Sequence, residues 1–577
     1  MVRGQDAMSG TLRWDETVDI VVLGAGAAGM TAALVASLEG RRTLLLESTM
    51  QVGGTMARSS GTAWIPNNPH QRRLHPHDDA AAAQRYLDAL VGGRTDRSLR
   101  DAFIDAGPAM VAYLDARTEV RFRAYPSSPD YRQDLPGAGD GGRPLEPLPF
   151  DGRMLGPHFE RLASPLREFM LFGGMMVTRG EAARLLRITT SIGAILLGAR
   201  LFTRYCADRL RYRRGTRLVL GNALAARLFH ELIKRDVLIW YAAHAQHLVL
   251  ENGRVCGLIV QTSEGERRVR ATRGVVLAGG GFPANAAMRR RYLPQPVADH
   301  TTAWEGCVGS TLALAQAIGA AIGPPSGDNA FWFPSSVAKR TDGTTAVFPH
   351  IALDRSKPGL VAVNAAGHRF VDEASSYHEF TRAMYRSHQT VPTIPAVLVC
   401  DRRFVWKYGL GMIRPLALSL RAHLANGYLH SGATIEELAR KVGVDPVGLA
   451  TTVSAVNAYA LAGMDSEFGK GSNSYDRCNG DGRHAPNPCL GPIDSAPFYA
   501  VKVFPTPLGT SLGLRTDAIG RVLDTADHPI PGLYACGNDM QSIMGGEYPG
   551  PGAQIGIAMT FGYLAAKHAT MGQPCSS

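Results

Sequence analysis

No two cysteines of this chain form a C-x-x-C pair, and no C-x-x-C-H string occurs. The eight cysteines (Cys206, Cys256, Cys307, Cys400, Cys478, Cys489, Cys536, Cys575) are scattered. No disulfide framework, zinc site, iron–sulfur site or c-type haem attachment is therefore expected, and no metal. There is no internal repeat of fixed period. Met1–Thr17 has no leader-type pattern, so a reducing cytoplasm is the default expectation. The apolar run from Ile188 to Ala199, between Arg187 and Arg200, spans twelve residues. That is short of the ~20 needed to cross a bilayer.

The chain has 577 residues, which predicts two or more domains. Apolar residues make up 45% and charged residues 19%, the ordinary balance of a soluble enzyme. The net charge of +11 is partly local: Arg200, Arg204, Arg209, Arg211, Arg213, Arg214 and Arg217 face one acid, Asp208. Two readings of residues 188–217 stay open. One is a helical hairpin packed on the protein with a solvated basic face. The other lies on the inner face of the cytoplasmic membrane, arginines at the headgroups. Nucleic acid is not expected, because only Tyr205 and Tyr212 interleave the arginines. The sequence leaves the oligomeric state open.

Asp19–Leu23 reads as a strand, Met30–Leu38 as a helix and Thr43–Glu47 as a second parallel strand, joined by Gly24-Ala25-Gly26-Ala27-Ala28-Gly29. Gly24 makes the turn, Gly26 admits a pyrophosphate, Gly29 lets helix and strand pack, and Glu47 accepts from ribose hydroxyls. The helix N-terminus favours the anion. This fingerprint predicts a dinucleotide but does not separate NAD from FAD. Residues 150–235 carry Leu, Ala, Arg and Met at helical spacing and read as a helical insertion. Residues 326–492 are aromatic and Pro-rich at Phe331-Trp332-Phe333-Pro334, with strands near Gly359–Asn364 and Ala396–Cys400 and a helix capped by Thr434. Phe331 and Trp332 are expected to shape an apolar pocket. Residues 463–491 read as a surface loop.

Several segments resemble the fumarate reductase/succinate dehydrogenase flavoprotein superfamily. They are Gly53-Gly54-Thr55, Ser59-Ser60-Gly61-Thr62, Arg273 through Ala278-Gly279-Gly280 to Phe282, and Gly532 to Gly537-Asn538. The resemblance implies FAD as cofactor, with Gly552 and Ile555 also at the flavin. It implies an α/β fold: a Rossmann-like FAD-binding domain (residues 18–325 and 493–577) and an inserted α+β substrate-capping domain (residues 326–492). The superfamily's fumarate reductase strings His-Pro-Thr-Gly and Arg-Gly-Glu-Gly-Gly do not occur.

Within that superfamily the chain is similar to the 3-ketosteroid 1-dehydrogenases. Pro129-Asp130-Tyr131, the tyrosine seven residues after Phe370 in Gly367-His368-Arg369-Phe370 (Tyr377), Gly513-Leu514-Arg515-Thr516-Asp517, and Tyr548-Pro549-Gly550-Pro551-Gly552 carry the likeness. It implies Tyr377 as the base assisted by Tyr131, and the Tyr548 hydroxyl with the Gly552 amide as donors to a ketone oxygen. Dehydrogenation beside a ketone needs those parts: a group to take the α proton, donors for the oxygen that gains charge, and a flavin for the hydride. The substrate expected is a 3-ketosteroid and the electron acceptor a quinone. The alternatives are C4–C5 dehydrogenation, reduction of an activated double bond, or a silent protein holding FAD and a lipid.

Overall fold

A strand apolar on both faces belongs inside a parallel sheet covered on both sides, and Glu16–Leu23 occupies that place. In the computed structural model, which describes residues 13–186, 188, 191–297, 299–351 and 354–575, Ile20, Val21 and Val22 are fully buried. The strand pairs in parallel with Thr43–Leu46 on one side and Gly265–Leu277 on the other. Leu238–Trp240 and Pro529–Ala535 extend the parallel set outward. Antiparallel strands Arg521–Leu523, Arg254–Thr262 and His244–Glu251 complete eight. The helices Ala27–Leu38 and Ala553–Met571 pack on each other over this sheet.

The second sheet is antiparallel and has six strands. Its centre is the long strand Phe498–Thr510, which pairs with Ala330–Lys339, Ala396–Asp401 and His430–Gly432. This corrects the boundary at 493, since the chain completes the second sheet before returning to the first. The predicted strands appear at Leu360–Val363 and Ala396–Asp401, and Thr434 caps the helix Ile435–Val442 by accepting from the Glu437 amide.

The helical insertion is smaller than expected. The helix Leu220–Lys234 packs against Ala27–Leu38 and Gly54–Ala57, so it belongs to the first body. What stands apart is the pair Arg179–Leu185 and Ile192–Arg209, with a small core of Met175, Leu201 and Tyr205. Ile192, Ile195, Leu196 and Phe202 of the longer helix are exposed. Arg187 lies outside the described residues.

Residues 463–491 lie only partly at the surface. Asp465, Lys470, Tyr475, Asp476 and Cys489 are buried, because the polar groups that suggested solvent are paired internally. Asp465 takes Arg369, and Lys470 takes Glu373. A disulfide, also not expected, joins Cys256 to Cys575 across 319 residues. The C-terminal tail reaches it by bonding along Gly265–Leu277, the Cys575 amide donating to the Thr272 carbonyl. No described helix is long and apolar enough to cross a membrane. Among the described residues one trio, Glu119, His230 and Glu231, has metal-ligand spacing, but Lys234 and Arg235 already pair with its acids.

Candidate functional site

The glycine turns converge. A Cβ on Gly24 would lie 2.3 Å from the Ala278 oxygen, and one on Gly29 would lie 1.8 Å from the Gly24 oxygen. Only glycine permits those contacts, and Gly24 has a φ of 101°. A Cβ on Gly26 would meet nothing within 4 Å, so its space is left to a ligand. Gly26 caps the helix Ala27–Leu38 with no side-chain bond to the first amides, and Ala27 and Ala28 present no bulk there. Gly54 lies over Gly26, and Gly537 abuts Ala28.

Glu47 ends the second strand, buried. Its Oε2 accepts from the Ala25 amide (2.9 Å), and its Oε1 from the Thr49 amide (2.9 Å) and hydroxyl (2.8 Å). Burial pushes its carboxyl up and those bonds oppose the shift. The Gly53 amide donates to the Ala25 carbonyl, tying the second glycine pair to the first turn.

Some expected contacts serve the protein itself. The Thr55 hydroxyl accepts from the Trp304 amide, and the Ser59 hydroxyl donates to the Met56 carbonyl and accepts from the Gly61 amide. Gly61 is pressed against Gly221, and the Ser60 hydroxyl accepts from the Thr62 amide. Ile555 is half-buried against the main core.

Sequence reasoning missed Asp539, two residues past Gly537. Fully buried, its carboxylate accepts from the Gly279 amide (2.6 Å) and the Gly281 amide (2.8 Å), and it bonds Gly280 as well. It joins the last two glycine turns, and burial pushes its carboxyl up against those bonds. Beside it, a cleft is lined by Gly537, Asn538, Ala553, Gln554, Thr510 and Phe331. The buried Thr510 hydroxyl in that cleft has no partner. An open cradle at Gly26, an uncapped helix start and an orphaned hydroxyl fit FAD.

Tyr131, Tyr377 and Tyr548 come together although more than 100 residues separate each from the next. Their ring centroids lie 5.6 Å (Tyr131–Tyr377), 5.5 Å (Tyr131–Tyr548) and 5.6 Å (Tyr377–Tyr548) apart, all three buried. Tyr377 opens the helix Tyr377–His388, capped by Ser376. Tyr131 is held by its neighbour Asp130, which takes Trp64 Nε1 (2.7 Å) and Arg143 (2.6 Å), and by its own amide, which donates to the Pro549 carbonyl. Tyr548 precedes that carbonyl, which also accepts from the Tyr86 hydroxyl at 2.6 Å.

The Tyr377 hydroxyl interacts electrostatically with those of Tyr131 and Tyr548. Burial pushes all three phenols up. The shared interactions raise Tyr377 further and lower the other two, and Gln554, donating from Nε2 at 3.2 Å, also holds Tyr548 down. Gly552 caps the helix Ala553–Met571 with a φ of 90°, and a Cβ there would lie 2.1 Å from the Thr62 oxygen. Asn538 Nδ2 donates to Gln554 Oε1 at 3.1 Å, linking the Gly537 turn to the tyrosines.

Strand alternation sorts the aromatics of Ala330–Lys339. Phe331 meets Tyr548 (5.2 Å) and Phe333 meets Tyr377 (4.5 Å). Trp332 points the other way, donating to Asp328 and packing on Tyr385, so it does not line the pocket. Tyr475, on the segment read as a loop, lies 5.0 Å from Tyr131. Nothing in its Gly-, Asn- and Asp-rich surroundings signalled a buried aromatic. His378 follows Tyr377, donates from Nε2 to the Gly546 carbonyl (3.0 Å) and is pushed down to about 3 by burial, so it stays neutral.

Residues 19–555 match the family described as FAD binding domain. The chain is 36% identical over 568 residues to 3-oxosteroid 1-dehydrogenase of Mycobacterium tuberculosis, covering 95% of this chain and 98% of that protein. It is 34% identical over 565 residues to 4-oxocyclohex-2-ene-1-carboxylate 5-dehydrogenase of Sinomonas cyclohexanicum, covering 97% and 95%. The crystal structure of 3-ketosteroid delta1-dehydrogenase from Sterolibacterium denitrificans in complex with 1,4-androstadiene-3,17-dione matches with a TM-score of 0.90. Its identity is 37%, over 96% of this chain and all of that one.

Proposed function

Since the chain belongs to the FAD-binding flavoprotein family, alongside the 3-oxosteroid 1-dehydrogenases, we propose that it removes hydrogen from C1 and C2 of a 3-ketosteroid. The meeting of Tyr131, Tyr377 and Tyr548 beside the Gly552 helix start carries this reading. Bound FAD supplies the hydride acceptor. Glu47, Gly26 and the turns at Gly53 and Gly279 would hold it. The Tyr548 hydroxyl and the Gly552 N–H hold the C3 oxygen and stabilise the charge that grows there as the α proton leaves. Tyr377 takes that proton after giving its own phenolic proton to the Tyr131 hydroxyl, which releases one to solvent. Phe331 and Phe333 exclude water. The electrons pass on to a quinone-type acceptor.

The likeness to the oxocyclohexene carboxylate enzyme supports a second reading, a small ring ketone bearing a carboxylate. The same tyrosines would serve it. Against it, Arg382, the half-buried one of two arginines on the Tyr377 helix, is already engaged by Asp328, Glu379 and Glu547. Anaerobic mixing separates the two. A 3-keto-4-ene steroid is expected to bleach the flavin and yield the 1,4-diene. Bleaching by 4-oxocyclohexanecarboxylate alone would replace the steroid reading, and a product changed at C4–C5 would move the chemistry.

We further propose that Ile192–Arg209 rests on an anionic membrane. Its exposed Ile192, Ile195, Leu196 and Phe202, with Leu210 just beyond its end, lie beside exposed Arg200, Arg211 and Arg213. Arg214 and Arg217 instead belong to the protein, bonded to Asn222 and Glu181.

A further inference from the structure

Arg355 has no exposed surface. The hydrogen bonds of its guanidinium all go to backbone carbonyls: Nε to His350 (2.7 Å), Nη1 to Glu373 (2.7 Å) and Ser375 (3.2 Å), and Nη2 to Ile351, while its own amide donates to the Asp354 carboxylate (2.9 Å). Its guanidinium lies over the Phe380 ring at 4.7 Å. Carbonyls satisfy the donors but leave the positive charge whole, and an unpaired buried charge is costly.

Among the described residues no carboxylate stands in ion-pair contact with it. Burial pushes its guanidinium down, and Tyr475, Asp354, Asp372 and Glu373 oppose that shift. Each of those carboxylates has a partner of its own. Asp354 accepts from His350 Nδ1 (2.6 Å) and the Gly411 amide (3.1 Å). Glu373 takes Arg369 (2.9 Å) and Lys470 (3.3 Å). Asp372 is hydrogen-bonded to Asp476, which burial and the Asp372 charge push up to about 8. Tyr475 in turn faces Arg355, Asp476, Arg179 and Cys478, and its ring meets that of Tyr131.

We propose that Arg355 is a positioning residue for proton abstraction. Its charge, acting through Tyr475 and Tyr131, favours the state in which the tyrosine cluster has given up a proton. Its fork to the Glu373 and Ser375 carbonyls steadies the turn that delivers Tyr377. The first effect is electrostatic: a cation in a dry surrounding lowers the energy of any nearby phenolate. The second is mechanical, since Ser375 and the cap Ser376 directly precede Tyr377. This inference rests on the proposed role of Tyr377 and Tyr131.

The test is the rate of flavin reduction in the holoenzyme at saturating 3-keto-4-ene steroid, followed against pH. Arg355→Gln removes the charge and should move the midpoint of the alkaline limb up by about one pH unit, with steroid affinity within about threefold. Arg355→Lys keeps the charge without the fork and should keep the wild-type midpoint, at a rate within about tenfold. An unmoved midpoint in Arg355→Gln, or a lysine variant as impaired as the glutamine one, would overturn the proposal. If Arg355→Gln does not retain FAD, the lysine variant decides: a loss beyond about tenfold at every pH overturns it. Tyr377→Phe keeps the two readings apart. Should that variant still reduce the flavin, the base assignment itself fails. Should it be dead while Arg355→Gln keeps the wild-type profile, only the role of Arg355 fails.

Discussion

Burial keeps the proton on Tyr377 until something draws it off, and that has a measurable consequence. A phenol held above its ordinary value of about 10 is fully protonated at neutral pH, so proton removal from the steroid gains as pH rises. Flavin reduction should therefore climb from about pH 7 and level off only above about pH 10. His378 stays neutral throughout and adds no inflection. A rate flat across that range would show that no phenol takes the proton. Two substitutions divide the labour. Tyr548→Phe removes one of two donors to the ketone oxygen and should cut turnover about a hundredfold or more. Tyr377→Phe should still bind steroid yet fail to exchange its α hydrogens in deuterated water, while Tyr131→Phe slows exchange less. Wild-type exchange in Tyr377→Phe would transfer the role to Tyr131. Tyr548 stood out beside its glycine turn, Pro549 to Gly552, whereas Tyr131 and Tyr377 were named only through the resemblance to the 3-ketosteroid 1-dehydrogenases. Asp539, Phe333 and Tyr475 carried no such mark, since a carboxylate buried to join glycine turns reads locally like any acid.

At the scale of elements, the glycine turns separate what the fold needs from what the cofactor needs. A side chain on Gly29 strikes the Gly24 carbonyl, whereas one on Gly26 enters open space. Gly26→Val should thus fold, with an unfolding temperature close to that of the wild-type apoprotein, and purify colourless. Gly29→Val should not fold. A yellow Gly26→Val protein would move the cofactor away from this turn. The strand–turn–helix–strand order was readable because each piece is local and apolar periodicity reports it. The segment 463–491 was not, because its polar residues pair with Arg369 and Glu373, far away in sequence. The helix Ile192–Arg209 was readable as a helix, but only the structure shows which of its apolar side chains are exposed. Ile195→Glu with Leu196→Glu should abolish cosedimentation with vesicles rich in anionic lipid and leave steroid turnover in detergent intact. Unchanged cosedimentation would leave the patch without a membrane role.

For the whole molecule, the site exists only where two sheets meet, and Arg382 is the fastener. It sits on the helix that Tyr377 opens, in the body built on the antiparallel sheet. It reaches Glu547 (2.8 Å) and the Gly546 carbonyl (2.8 Å) on the turn that carries Tyr548, and also Asp328 (2.8 Å). His378 adds its bond to the same carbonyl. The sequence announced two bodies through the change of pattern after residue 325. It could not place Phe498–Thr510, because an apolar strand fits either sheet until its partners are known. Nor could it reveal Arg382, whose three carboxylates come from three separated segments. Removing one member of such a cluster weakens the others: Arg382→Met leaves Asp328 without a cation and Glu547 with Arg94 alone, at a cost of about 3 kcal/mol. The variant should melt earlier and, because Tyr377 and Tyr548 lose their common anchor, should lose turnover by more than its steroid affinity. Restoring conditions well below the melting point would not recover that turnover. Full activity at low temperature would mean that the fastener serves stability alone, and that the two tyrosines keep their spacing by other contacts.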